Sequence, residues 1–140
     1  MGHIVVYVDH STSISDQTLM HIRTAVIELS QNIDFVVYPF TGRIHEEKKE
    51  IIANGYAPQM QKRVTGGTSF TSIVKHVQEL SDKPSTYIIC TDGESIIPDH
   101  CHIPRYWILF HSQSNSHIVN HLILILYNHF YILCSVELIN

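Results

Sequence analysis

Three short polar clusters in this 140-residue chain carry side chains suited to a hard cation: Asp9-His10-Ser11-Thr12-Ser13, Gly66-Gly67-Thr68 and Thr91-Asp92-Gly93-Glu94. A divalent ion such as Mg²⁺ takes oxygen ligands in an octahedral array at about 2.1 Å and keeps several waters. The hydroxyls of Ser11, Ser13 and Thr68 can supply that shell. Asp9 and Asp92 can accept hydrogen bonds from the metal-bound waters and balance the positive charge. The alternate spacing of the serines matters, because a tight turn leaving a strand can aim both at one point. A cation held this way has no direct anionic ligand and would seek one carboxylate from outside the domain.

Each cluster also has a purely structural explanation. Ser13 to Asp16 fits S-x-x-[DE], a capping box that satisfies free amides at a helix start. Thr68 or Ser69 could be an N-cap after a Gly-Gly turn, and Asp92-Gly93 could be an ordinary turn. The capping box leaves Asp9 and Ser11 unexplained, and the metal explanation takes in all three clusters at once.

The elements that would position these residues are legible in the hydrophobic pattern. His3–Val8 is a β-branched and aromatic run of the kind buried on both faces of a parallel sheet, and it stops at Asp9. Leu19, Ile22, Val26, Leu29 and Ile33 recur at helical spacing, as do Phe70, Ile73, Val74, Val77 and Leu80. Phe35–Phe40, Tyr87–Cys90 and Tyr106–Phe110 read as further strands. Pro39 places the second strand toward an edge, and a partner near Arg43–His45 would close a hairpin. The run from Glu46 to Gly67 reads as a solvated connection with one helical turn. Alternating strands and helices predict an α/β, doubly wound, mostly parallel sheet with an antiparallel edge strand and helices on both faces. In such a sheet, loops leaving the carboxyl ends of neighbouring strands meet in one crevice, which would gather the three clusters. Residues 116–140 form a separate apolar tail, predicted to add a strand and a helix to the sheet.

The order D-x-S-x-S, then GGT, then TDG resembles the von Willebrand factor type A (VWA) domain with its metal-ion-dependent adhesion site. The wording VYVDHSTSIS, TGGTSF, YIICTDGES and PRYWILF looks most like the VWA-like C-terminal domain of a family of predicted metallopeptidases in bacteria and phages. The resemblance covers roughly residues 3–111, so residues 1–115 are read as the VWA-like domain. It implies a Rossmann-like fold and metal-site roles for Asp9, Ser11, Ser13, Thr68 and Asp92, with Mg²⁺ or Mn²⁺ as the cation. His10 and Thr12 occupy spacer positions where the family often has small residues, and Ser69 stands where it often has an acid. The last helix and strand of a full VWA domain are not obvious in the C-terminal third. The peptidase motif is absent too: His45-Glu46 opens an H-E-x-x-H pattern, but Lys49 stands at the second histidine.

Composition narrows the remaining choices. With 13 acidic against 9 basic residues and a formal charge of -4, the chain has no general attraction for nucleic acid. Three cysteines without a C-x-x-C pair indicate neither a disulfide framework nor a zinc ribbon, and favour a reducing, cytoplasmic setting. Adjacent residues such as Asp99-His100-Cys101-His102 seldom converge on zinc. The start lacks the basic and apolar regions of a signal peptide. Asn128, His129 and Glu137 interrupt the apolar tail, which argues against a membrane span. The eleven histidines make the net charge responsive to pH near 6.5.

The expectation is therefore a non-enzymatic module that docks a protein partner's Asp or Glu on a bound cation. Two alternatives stand beside it. One is a Mg²⁺-dependent phosphohydrolase with Asp9 as nucleophile, which would want an acid where Ser11 stands. The other is a structural VWA-like domain whose site holds no metal.

Overall fold

A computed structural model describes residues 3–31, 33–53, 66–92, 101–109, 122–127 and 130–135. The first predicted strand is β1 (Ile4–Asp9), and it leads into α1 (Asp16–Ser30). β2 (Phe35–Phe40) follows, then a short 3₁₀ helix (Glu46–Lys48) and β3 (Glu50–Ile52). The second helix is α2 (Phe70–Glu79), followed by β4 (Thr86–Thr91) and β5 (Arg105–Leu109). A final pair, β6 (Leu122–Tyr127) and β7 (Phe130–Ser135), completes a sheet of order β3-β2-β1-β4-β5-β7-β6 among the described residues.

From β3 to β5 the sheet is parallel except at β2–β3. β1 lies between β2 and β4, with Ile4 opposite Phe35 on one side and Thr86 on the other. The chain passes from β1 to one neighbour and later crosses to the other, so the end of β1 is the topological switch point where α/β sheets form their crevice.

Side-chain alternation along β1 divides the core. Val6 and Val8 pack with Leu19, Ile22 and Val26 of α1, whereas Val5 and Tyr7 pack with Phe70, Ile73, Val74 and Val77 of α2. The two helices thus cover opposite faces, which explains why β1 reads as a continuous apolar run rather than an alternating one. Fully burying each such aliphatic side chain contributes about 1.5–3 kcal/mol. Trp107 is 1% exposed and stands edge-on to Phe70, with ring centroids 5.0 Å apart, so it is a core residue.

Three expectations need correction. The hairpin closes at Arg43–His45, where the His45 N–H meets the Pro39 carbonyl at 2.9 Å, but that segment is not the partner strand of β2. That segment makes only a single bridge, Phe40 to Ile44, and the antiparallel strand is β3, paired with Phe35–Val37. The β3 ladder therefore ends before Pro39, which has no N–H to offer it. The supposed solvated connection accordingly contains a strand as well as its helical turn, while residues 54–65 lie outside the described residues. The tail's second apolar run is a strand rather than a helix: β7 pairs antiparallel with both β5 and β6. The boundary expected near residue 115 also falls outside the described residues.

Candidate metal centre

Asp9 is the last residue of β1 and is completely buried. Its Oδ1 accepts the Ser11 N–H at 2.8 Å and its Oδ2 accepts the Thr91 hydroxyl at 2.6 Å. The first bond folds the chain back at the strand end, and the Ile14 N–H to Ser11 carbonyl bond at 3.0 Å tightens the same turn. As a result the Ser11 and Ser13 hydroxyls lie 3.1 Å apart, Ser11 buried and Ser13 exposed.

The helix caps decide between explanations that the sequence leaves open. The side chain of Ser15, not Ser13, accepts the Thr18 N–H at 3.1 Å and so caps α1. Ser69, not Thr68, caps α2 by accepting the Ser72 N–H at 3.3 Å. Each helix is capped by a serine just beyond the candidate ligand, so capping does not explain Ser13 or Thr68.

Thr68 is brought to the β1 end by bonds on both sides of it. Before it, the Gly66 carbonyl accepts the Thr12 N–H at 3.0 Å and the Thr12 hydroxyl at 3.3 Å. After it, the Ser69 N–H donates to the Thr41 carbonyl at 3.0 Å. Gly66, whose φ is +157°, lies beside Thr41: a Cβ there would stand in ordinary contact, 3.4 Å from Thr41 Cβ. Thr41 itself follows β2, and the His10 N–H to Phe40 carbonyl bond, 2.9 Å, ties that strand end to the Asp9 turn.

Asp92 directly follows β4 and is 8% exposed. Its charge is close enough to raise the Asp9 pKa. Burial is the largest cause of that upward shift, while the hydrogen bonds from Ser11 and Thr91 oppose it. Two carboxylates at neighbouring buried strand ends thus form a site where a cation would relieve both desolvation and mutual repulsion. Gly93 and Glu94 lie outside the described residues.

The donor set suits a hard cation. Two neighbouring ligands on an octahedron of radius about 2.1 Å are about 3.0 Å apart, close to the Ser11–Ser13 hydroxyl separation of 3.1 Å. Among the described residues no three His, Cys, Asp or Glu side chains converge as a metal-holding group. Cys101 is buried against Gln78 while His102 is exposed, and Asp99 and His100 lie outside the described residues. No helix among the described residues is long and apolar enough to cross a membrane.

Thr91 stands in the TDG motif, where spacing alone assigns it no task. Its role follows from register: β1 and β4 pair up to Val8–Cys90, so one further step along the parallel strands brings Thr91 beside Asp9. Thr41 and Gly66 carry no motif signal, and only the folded chain joins them.

The fold has a solved counterpart in the crystal structure of an aerotolerance-related membrane protein from Bacteroides fragilis NCTC 9343 with multiple mutations to serines. The two share 14% identity and a TM-score of 0.50, over 69% of this chain and 57% of that one. The likeness thus spans a little over half of the solved chain and concerns the fold alone. No curated protein sequence matches significantly. The family described as VWA-like domain (DUF2201) matches residues 4–118, a stretch containing all three polar clusters and both helices. This chain therefore belongs to the VWA-like domain family.

Proposed function

We propose that the protein is a divalent-metal-dependent binding module in which Ser11, Ser13 and Thr68 hold Mg²⁺ or Mn²⁺ directly and Asp9 and Asp92 act through water. The observation that carries this reading is the paired hydroxyls of Ser11 and Ser13, 3.1 Å apart above a buried carboxylate that both Ser11 and Thr91 orient. When bound, the cation supplies an electrophilic coordination position that a partner's Asp or Glu completes. The chain's own part is positional. The Asp9 turn fixes the two serines, the Gly66 and Ser69 bonds fix Thr68, and β4 delivers Asp92.

The arrangement supports binding over phosphoryl transfer. A nucleophilic Asp9 would need an accessible oxygen, whereas this carboxyl is buried and each of its oxygens accepts a hydrogen bond. Calorimetric titration with Mg²⁺ tests the proposal. Wild type should release or absorb heat saturably and Asp9→Asn should not. Equal heats, or none in either protein, would reject it. Addition of a glutamate-bearing partner or a simple carboxylate in the presence of Mg²⁺ then tests the docking step.

A further inference from the structure

The turn after β2 holds a histidine that the proposed site does not use. His45 is 5% exposed. Its Nε2 lies 2.9 Å from the Thr41 hydroxyl. Its Nδ1 has no hydrogen-bond partner, and Glu47 Oε2 is 3.6 Å away. With the carboxylate on that side, the neutral ring is best accommodated with its proton on Nδ1 and with Nε2 accepting the Thr41 O–H.

That hydrogen bond sits at a junction. The Thr41 carbonyl accepts the Ser69 N–H, and a Cβ on Gly66 would lie 3.5 Å from Thr41 Oγ1. The Gly66 carbonyl in turn holds Thr12. Thr68 is therefore seated by a loop that rests on Thr41, and His45 sets which way the Thr41 hydroxyl points.

We propose that His45 is an acid-sensitive latch on the loop that carries Thr68. Protonation places a hydrogen on Nε2, so the Thr41 hydroxyl must turn from donor to acceptor. Its own proton is then directed away from the ring. The imidazolium also draws Glu47, whose other oxygen is held by Arg43 at 3.0 Å. A charged ring in this buried turn favours movement of the turn toward solvent, and with it loss of the bond from the Ser69 N–H to the Thr41 carbonyl. The charged groups acting on His45 are Glu47, which favours the imidazolium, and Arg43 and Lys48, which oppose it. Glu46, on the same 3₁₀ helix, is engaged at 2.6 Å by His76 of α2. Burial, followed by Arg43, holds the His45 pKa below its ordinary value. The latch therefore stays closed at neutral pH and opens on the acid side of the usual histidine range. Its effect on metal binding rests on the function proposed above, whereas the opening of the loop does not.

The test is amide hydrogen exchange of metal-free protein, read at Thr12 and Ser69 from about pH 7.5 to about pH 5. Protection factors corrected for intrinsic rates should fall, by at most about tenfold per pH unit, as pH drops from the ordinary histidine value of about 6.5 to the lowered His45 midpoint of the closed loop, and level off below it, as one coupled proton requires. In His45→Gln, which cannot charge, they should stay level. Arg43→Ala should move the midpoint up and Glu47→Gln should move it down, two changes at exposed side chains that keep the test available if His45→Gln fails to fold. The same pH profile in wild type and His45→Gln, or a midpoint unmoved by both exposed substitutions, would overturn the latch. In a parallel Mg²⁺ titration, wild type should lose more affinity on acidification than His45→Gln, the loss common to both arising outside His45. If neither protein binds Mg²⁺ even at neutral pH, the metal reading fails and the exchange data still decide the latch.

Discussion

The Thr91 hydroxyl donates to Asp9 Oδ2 at 2.6 Å, joining residues 82 positions apart at the carboxyl ends of β4 and β1. This bond aligns the two strand ends that carry the candidate carboxylates. Removing it in Thr91→Val keeps the side-chain shape and leaves a buried carboxylate oxygen short of a donor. The expected cost is about 1–3 kcal/mol of folding stability, measured by urea unfolding in chelator. A loss within error of zero would mean the bond does not orient Asp9.

The Asp9 carboxyl makes the metal-free protein sensitive to pH in an unusual direction. Burial raises its pKa in the folded state, so the native chain holds this proton more tightly than the unfolded chain. The resulting stability is present below the ordinary aspartate value of about 3.9 and is lost as pH rises through the folded value. Asp9→Asn should remove this contribution and stabilise the metal-free protein at neutral pH. The amide can accept from the Ser11 N–H and donate to Thr91. Thermal unfolding across pH in the presence of EDTA checks it; an Asp9→Asn protein less stable than wild type at neutral pH would contradict it.

Tyr7, His76 and Glu46 form a chain of side-chain hydrogen bonds linking β1, α2 and the 3₁₀ helix, at 2.8 and 2.6 Å. Tyr7 is fully buried, so His76→Leu would leave its hydroxyl unpaired. The single change should destabilise by about 1–3 kcal/mol, and adding Tyr7→Phe should recover part of that loss. A strictly additive double mutant would show that the two side chains are not coupled.

Ser69→Ala removes the cap of α2 next to Thr68. Stability should drop by about 1 kcal/mol. Ser15→Ala should have a similar effect at α1, because Thr18 loses its acceptor. Ser13→Ala, by contrast, should leave stability nearly unchanged while weakening Mg²⁺ binding. Equal destabilisation by Ser13→Ala and Ser15→Ala would return Ser13 to a capping role.

The long periodic elements were legible in the sequence because burial dictates their pattern. β1 is apolar throughout since helices cover both its faces, and α1 and α2 show one stripe each because one face of each is covered. β3 was hidden because a three-residue strand, Glu50–Ile52, lies within a charged run and leaves Ile51 72% exposed. β7 differs from the expected helix because a short apolar run has no periodicity to separate strand from helix; pairing with β5 decides it. At the site, Asp9, Ser11 and Ser13 could be grouped from spacing alone. The bonds of Thr91 to Asp9 and of Ser69 to Thr41 depend on register and crossover, which spacing does not encode.

Crystals grown with Mn²⁺ and measured for anomalous scattering probe the crevice at the end of β1 most directly. One peak is expected about 2.2 Å from the hydroxyl oxygens of Ser11, Ser13 and Thr68, with waters between it and the two aspartates. A map without a peak there at saturating Mn²⁺, or with the ion bound elsewhere, would contradict it.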